Sequence, residues 1–526
     1  MLKYENKKLM LIPVIITFLI AIYVTITSHG PLSWDIYTHI NYALAYLING
    51  ITTIDPLLNA PAGKTIGYAP LFHILLIITS AITGLDLLQT AQLFQVIFVL
   101  LAMISVVYIS YKLYDSVSAT VTGILLLSSF MFTRLLLPIP ETIAVIFFLW
   151  GVYFYYISID NEKSLYVFVS VIMGLLILSV HFSTFIYYVA IISALSLIYL
   201  LFSRKKRIIA SYLMFIIPLA ILLWVGFMML NTLSPQKAVE LLNGTFSIIN
   251  DPMSLFMGQK AMGLERYIKC VSILPLVFGI LGFIYSIKNK THIFIAIWAM
   301  LAFIISNLHW IGVPVYTYRL LIYFVIPTVI LGGYAFSHLM ENIKIKDNRM
   351  ILFAIMGLLV LSFVSLGFSL SDEAFNYSSV STSQSKFHIA PPSSEESEVI
   401  EWFKTQNIST NESMITNNLF FGVVLSSCDV IPMHYSFDVY TSPLSHKSSW
   451  NALNDENISY IIYDKSLVMN NSTQYSNLDV VYVEGDYYPT YYFTQPIDEY
   501  NFYQIQVSGT EKVFENNRFI VCQVQQ

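Results

Sequence analysis

The chain has 526 residues, of which 56% are hydrophobic and 11% charged, with a mean hydropathy of +0.67. A soluble domain carries about a quarter charged residues, so this composition excludes an ordinary soluble globule and a disordered chain. A net charge of −5 argues against a nucleic-acid binder, which needs a basic face. The charge is unevenly divided: residues 1–371 carry 21 Lys/Arg against 13 Asp/Glu, and residues 372–526 carry 6 against 19. We therefore expect two domains, an apolar one over 1–371 and an acidic one over 372–526 long enough for its own core. Of the three cysteines, Cys428 and Cys522 share the acidic region, either as a pair or as two buried thiols.

In chain order, runs of about 20 apolar residues read as membrane-spanning helices, because each backbone polar group must be satisfied inside its own segment. They fall at 9–27, 89–111, 117–133, 142–158, 165–179, 184–202, 208–230, 268–287, 292–308, 320–339 and 351–370, eleven in all. The first follows Lys3, Lys7 and Lys8 and precedes no small-residue cleavage site, so it is not a signal peptide. With the N-terminus in the cytoplasm, the basic clusters at Lys112, Lys163, Arg204 to Arg207, Lys288 and Lys290, and Lys344 to Arg349 all fall inside. The acidic region then lies outside, together with Asn-x-Ser/Thr triplets at Asn243, Asn376, Asn407, Asn411, Asn457, Asn470 and Asn471. Segment 68–85 is apolar enough to span, but a crossing there inverts every later cluster. It reads as a re-entrant or interfacial helix, the alternative being a twelfth span.

The acidic region opens with a Ser-rich linker and Pro391-Pro392. Ser394 is placed to cap a short helix with Glu395, Glu396 and Glu398 at its start and Ile400, Trp402 and Phe403 toward a core. Strand-like runs follow at 460–463, 480–483, 503–507 and 519–524, giving a small α/β domain.

Three boundary sites carry the chemistry. The first outside loop, about 28–68, is long for a connection between spans. If 35–48 is helical, Asp35 and His39 share a face, with Ile36, Ala43, Leu44 and Leu47 lying on the membrane. The plainer role for Asp35 is a helix cap. At the second site, Arg134 ends the third span and Glu141 opens the fourth across a turn with Pro138 and Pro140. Glu141 lies on the same outer face as Asp35, so the two carboxylates can divide base, metal or proton roles; the plainer role for Glu141 is helix N-terminus stabilisation. At the third, Arg319 enters the tenth span beside Tyr316 and Tyr318. A guanidinium at an outer boundary needs an anion, either a lipid head group or a bound phosphate. Lys260 and Arg266 are auxiliary candidates in the loop before the eighth span, and His181 stands inside an apolar run. No P-loop, dinucleotide fingerprint, zinc spacing or Ser-His-Asp motif is present.

The order of these features is an N-terminal span, Trp34-Asp35-x-x-x-His39, the Tyr68 to His73 segment YAPLFH, then Arg134-x-x-x-Pro138-x-Pro140-Glu141. It resembles the GT-C superfamily of membrane glycosyltransferases, particularly relatives of protein mannosyltransferases, aminoarabinose transferases and oligosaccharyltransferases. As architecture the resemblance covers roughly the first 340 residues. It implies a polyprenyl-phosphate-linked sugar as donor, used on the outer face of the plasma membrane. It maps the essential first-loop Asp onto Asp35 and the second acidic site onto Glu141. Two departures stand out: the WWDYG motif of oligosaccharyltransferases is absent, and the second site is one acid rather than two.

The chemistry this implies is a one-step inverting displacement. Asp35 is expected to act as base, Arg319 or Arg134 as phosphate clamp, with Tyr68 and His73 beside the donor phosphate, and Glu141 as organiser. Should the reaction use a divalent metal, Mg or Mn, Asp35 and Glu141 would hold it. The acceptor is a protein, lipid or glycan; nucleic acid is not a partner. Competing classes are a transporter or flippase, which would call for an inverted repeat or charges deep in the spans, and a surface-layer-binding scaffold.

Overall fold

The computed structural model describes residues 7–33, 35–160, 163–203, 206–233, 265–289, 293–312, 317–343, 348–369, 392–406, 412–428, 431–434, 457–467, 480–483, 490–493 and 509–525, with positions 235, 239 and 408 besides. The expected strand at 503–507 lies outside these residues. By packing, the chain forms two units, one of Met1–Val24 with Phe94–Lys386 and one of Thr25–Leu93 with Phe387–Gln526. Composition alone draws a single line at 371/372; packing also groups the first long loop with the acidic region.

The helices in chain order are α1 (Leu11–Thr27), α2 (Asp35–Asn49), α3 (Leu71–Thr83), α4 (Leu87–Leu113), α5 (Ser116–Leu127), α6 (Phe132–Leu135), α7 (Pro140–Asp160), α8 (Ser164–Val180), α9 (Phe182–Ser203), α10 (Lys206–Leu233), α11 (Glu265–Val271), α12 (Ile273–Asn289), α13 (Ile293–Ser306), α14 (Thr317–Asn342) and α15 (Asn348–Ser369). Among the described residues six are long and apolar enough to cross a membrane: Lys7–Thr27, Leu87–Leu113, Pro140–Asp160, Phe182–Leu201, Arg207–Met229 and Arg319–Asn342. Of the other five expected runs, four form apolar helices of 12 to 17 residues, and the fifth lies on α15, whose apolar stretch is Arg349–Ser365. Two runs are broken. The run at 117–133 stops at Leu127, where the Ser129 hydroxyl accepts the Met131 N–H at 3.2 Å. The run at 268–287 is interrupted at Ser272, whose φ is +76°. The ambiguous segment 68–85 contains α3, whose 13 residues rise only about 20 Å, short of the roughly 30 Å hydrocarbon core. It ends on Gly84 in the left-handed region, with the Gly84 N–H donating to the Ser80 carbonyl.

In the first unit the helices meet through small residues, as apolar helices do where no solvent drives them together. A Cβ on Gly282 of α12 would strike the Leu331 carbonyl of α14, and one on Gly333 of α14 would strike Thr122 and the Ser118 carbonyl of α5. Asp115 caps α5 by accepting the Ser118 N–H at 2.7 Å, while its other oxygen accepts from the Ser337 hydroxyl of α14 at 2.7 Å.

The second unit is built on a five-stranded sheet. Its helices are α16 (Ser394–Lys404) and α17 (Leu419–Ser427), and its strands β3 (Ser413–Thr416), β4 (Met433–His434), β5 (Ile458–Asp464), β8 (Thr510–Glu515) and β9 (Phe519–Val524) run in the order β4-β3-β5-β9-β8. The β4–β3–β5 pairs are parallel and the β5–β9 and β9–β8 pairs antiparallel. A separate hairpin joins β6 (Val480–Val483) to β7 (Thr490–Phe493), and the first loop carries its own small hairpin, β1 (Ile54–Asp55) with β2 (Lys64–Thr65). The cap of α16 is Ser393, one residue before the expected Ser394, because only from there does Glu396 stand three residues on and close a reciprocal capping box. Cys428 and Cys522 are free thiols, with Cys522 buried on β9 opposite Ile461.

The first loop is embedded in this unit. Met433 on the sheet edge donates to the Leu57 carbonyl at 2.8 Å and accepts from the Ala60 N–H at 2.9 Å, extending the sheet by residues 57–60. Helix α2 is buried without a break from Ile36 to Tyr46, and Asn41 donates to the Val423 carbonyl of α17 at 3.2 Å. Ile36, Ala43 and Leu44, expected on the membrane, are thus covered by protein; only Leu47 of that set is exposed. A buried anchor of the sheet is Asp464 on β5. It is bound by Arg518 (Nη2 at 2.7 Å) and by the Asn418 amide at 2.8 Å, and Arg518 reaches on to Glu396 at 3.1 Å.

Replacing Gly282 with Leu forces α12 and α14 apart, at about 1–3 kcal/mol for an overpacked site. Gly226, where an added Cβ would meet no neighbouring element within 4 Å, is the matched control. Thermal unfolding in detergent is expected to show a clear loss for Gly282→Leu and little change for Gly226→Leu.

Candidate active site

The first cluster forms where α6, α7, α9 and α14 converge in the first unit. Arg134 is the third residue of α6, Glu141 the second of α7, and Pro138 keeps the chain between them from continuing as helix. The Arg134 guanidinium donates to Glu141 Oε2 as a buried ion pair, each side chain 11% exposed. The turn is held by the Thr142 hydroxyl, which donates to the Leu137 carbonyl at 2.7 Å. His181 and Arg319 stand close enough to Glu141 for both to act on its charge. His181 breaks the chain between α8 and α9 in extended backbone, and its Nδ1 lies 2.8 Å from the Thr184 hydroxyl, itself 2.6 Å from the Tyr323 hydroxyl. Arg134, Glu141, Arg319 and His181, spread over 186 positions of sequence, are thereby brought together. The cluster sets two guanidiniums against one carboxylate, an environment suited to an anion.

The second group lies in the other unit. Asp35 is the first residue of α2 and is partly exposed. Its N–H donates to the Ser33 hydroxyl at 3.2 Å, with Ser33 at φ +82°. Ser33 thus satisfies one of the free N–H groups at the start of α2. One turn on, His39 Nδ1 meets His73 Nε2 of α3 at 3.0 Å. Both imidazoles are buried, and Tyr68 stands edge-on to His39 with ring centroids 4.6 Å apart. His73 Nδ1 has no partner among the described residues. A bare ring nitrogen is cheaper to bury than an orphan N–H, so the proton sits on His73 Nε2 and is donated to His39 Nδ1. The pair bolts α3 to α2, and Tyr68, His39 and His73 form one cluster with Tyr42 and Phe72. Arg266 lies on α11, and Lys260 is outside the described residues. No group of three or more His, Cys, Asp or Glu able to hold a metal occurs among the described residues.

Sequence reasoning missed Asp55. Burial pushes its carboxyl up to about 6, against the pull of the Leu57 N–H and of Lys64, its cross-strand neighbour. Oδ1 accepts the Leu57 N–H at 2.9 Å, while Oδ2 is buried without a hydrogen bond among the described residues. The only sequence signal was an acid beside Pro56 in a long loop. Because the folded pKa is raised, the stabilising contribution is complete below the ordinary carboxylate range and is lost as pH rises through about 6. The rise from the ordinary carboxylate value corresponds to about 3 kcal/mol at most. Thermal unfolding at pH 4 and pH 7 is expected to show a smaller difference in Asp55→Asn than in the parent; an identical difference would dismiss the assignment.

No family model matches the chain, and no curated protein matches it in sequence. Solved structures do match. ArnT from Cupriavidus metallidurans, bound to undecaprenyl phosphate, superposes with a TM-score of 0.61 at 9% identity, over 98% of this chain and 97% of that one. The oligosaccharyltransferase AglB from Archaeoglobus fulgidus, in complex with an inhibitory peptide and a dolichol-phosphate, gives 0.55 at 12% identity over 87% of this chain and 69% of that one. The arabinofuranosyltransferase AftD from Mycobacteria gives 0.54 at 11% identity over 99% and 40%. These identities carry the fold rather than the reaction. The chain therefore shares the fold of ArnT, AglB and AftD.

Proposed function

We propose that the protein is a membrane glycosyltransferase that moves a sugar from a polyprenyl-phosphate carrier to a hydroxyl acceptor. The observation that carries this reading is the convergence of Arg134, Glu141, His181 and Arg319 on a GT-C fold. In similar structures, ArnT is bound to undecaprenyl phosphate and AglB to a dolichol-phosphate, which supports a lipid phosphate as the carrier here.

In the proposed reaction the acceptor oxygen attacks the anomeric carbon as the bond to the phosphate oxygen breaks, so the centre inverts. Asp35 takes the acceptor's proton, and the lipid phosphate leaves with the electron pair of the broken bond. Charge grows on the phosphate oxygens, and Arg319 is the guanidinium assigned to them. Glu141 holds Arg134 in place through their ion pair. His73 acts through His39 as a positioning group, and Tyr68 borders the donor. Were a divalent metal used, Asp35 and Glu141 would be its carboxylates; no step above is routed through one. The reaction is placed on the outer face of the plasma membrane, with eleven crossings, a cytoplasmic N-terminus and residues 372–526 outside. Labelling of Lys112→Cys from outside the cell would reverse that orientation.

Two variants test the chemistry by release of lipid phosphate from labelled polyprenyl-phosphate sugars. Asp35→Asn keeps size and capping ability but cannot take a proton, so turnover is expected to fall by about 10²–10⁴-fold with donor binding intact. Near-parental turnover would end the assignment of Asp35 as base.

Arg319→Lys keeps the charge and loses the planar fork, and donor affinity is expected to weaken by about 1–3 kcal/mol. Unchanged donor affinity in Arg319→Ala would remove Arg319 from the phosphate site.

A further inference from the structure

The second unit contains a cavity of about 330 Å³ apart from the groups above, between the start of α4, the segment 29–31 and one face of α16. At about 30 Å³ per water it holds roughly ten waters, near the lower end of small-molecule sites. Gln89 and Gln92 stand three apart on α4, one helical turn, and so share a face. Gln89 is fixed by a reciprocal bond with Asp86: its Oε1 accepts the Asp86 N–H at 3.2 Å and its own N–H donates to Asp86 Oδ1 at 2.7 Å. Gln92 is half-buried and makes no side-chain hydrogen bond among the described residues. From α16, Lys404 and Glu401 line the opposite side as a 3.1 Å ion pair. Leu88 and Ile400 supply apolar edges.

Each of these polar elements offers a donor beside an acceptor: the amides within one group, the Lys–Glu pair between two. Vicinal hydroxyls of a sugar ring present the same alternation. The acids and the lysine leave no positive excess, so a phosphate or other anion has no cation of its own here. Cys428 also lines the cavity, but burial pushes its thiol up to about 12, so it is not a nucleophile at neutral pH.

We propose that this cavity is a saccharide-binding site for one or two neutral sugar rings, with Gln92 and the Glu401–Lys404 pair as its hydrogen-bonding groups. Its role in transfer, holding the glycan end of the acceptor or a distal sugar of the donor, rests on the glycosyltransferase reading; the binding itself does not.

The test is saturation-transfer NMR on the full chain in detergent, with maltose, cellobiose, mannobiose and chitobiose as probes and inorganic phosphate as the competing anion. At least one disaccharide is expected to bind saturably. Its affinity is expected to fall about tenfold or more in Gln92→Leu, which leaves the sugar hydroxyls facing that position unpaired, and to be lost in Ser397→Trp, which fills the space. Asp35→Asn is expected to bind as the parent does, so loss of turnover there and loss of binding here are separate results. Should Ser397→Trp fail to fold, Gln92→Leu decides alone. No disaccharide binding, binding unchanged in Gln92→Leu, or phosphate displacing the sugar through the same residues would each overturn the proposal.

Discussion

A carboxylate cannot be buried among apolar helices without its counter-charge: the effective cost is several kcal/mol per ion, and removing one partner strands the other. Glu141 and Arg134 meet this constraint within seven residues of one another. The requirement shapes the backbone around them. For Arg134 to reach Glu141, the helix must end and the chain reverse, and it does so through the four-residue α6, the Pro138 turn and the Thr142 bond to the Leu137 carbonyl. The same reversal starts α7 with its carboxylate in the first turn, beside the partial positive charge of the helix N-terminus. The two groups brought close to it, His181 and Arg319, also sit at helix ends, where backbone leaves the regular ladder and polar side chains can be accommodated.

Much of this was legible because it is local. A long apolar run is helical wherever it falls, and α7, α9 and α14 lie close to their expected bounds. Asp35 and His39 share a helix by simple spacing, and the strand at 480–483 follows from a run of β-branched and aromatic residues. What escaped depends on distant partners. Nothing in residues 36–46 says that α17, some 380 positions on, supplies their cover, so an apolar helix in an outer loop reads as a membrane-surface helix. The parallel strands β3 and β4 are too short and too fully buried to alternate, and periodicity cannot mark them. Ser393 and Ser394 are equivalent by type, and only the position of Glu396 separates them. His73 could be named as a candidate, but not paired with His39, because the loop between their helices folds back through a hairpin with no strong turn signature.

The two candidate groups draw on different physics. Around Arg134 and Glu141 the charges are formal and mutually compensating, so a change of one residue is felt through the whole set. Around His39 and His73 the groups are neutral and aromatic, and what is fixed is ring orientation rather than charge. A deletion in the first group therefore alters electrostatics at once, whereas a deletion in the second loosens α3 against α2.

The embedding of the first loop also bears on the order of events during synthesis. Helix α2 has eleven consecutive buried residues, and its cover includes α17, while residues 57–60 join the strand edge at Met433. Those segments leave the ribosome more than 300 residues after the loop itself. At about 5–20 residues per second, that interval lasts tens of seconds. During it the helix that begins with Asp35 has its own sequence but not its final neighbours, and residues 57–60 have no strand to join. These contacts are among the most non-local in the chain, and non-local contacts form last. Assembly of the Asp35 region is therefore a late, post-insertion step that waits on translation of the C-terminal residues.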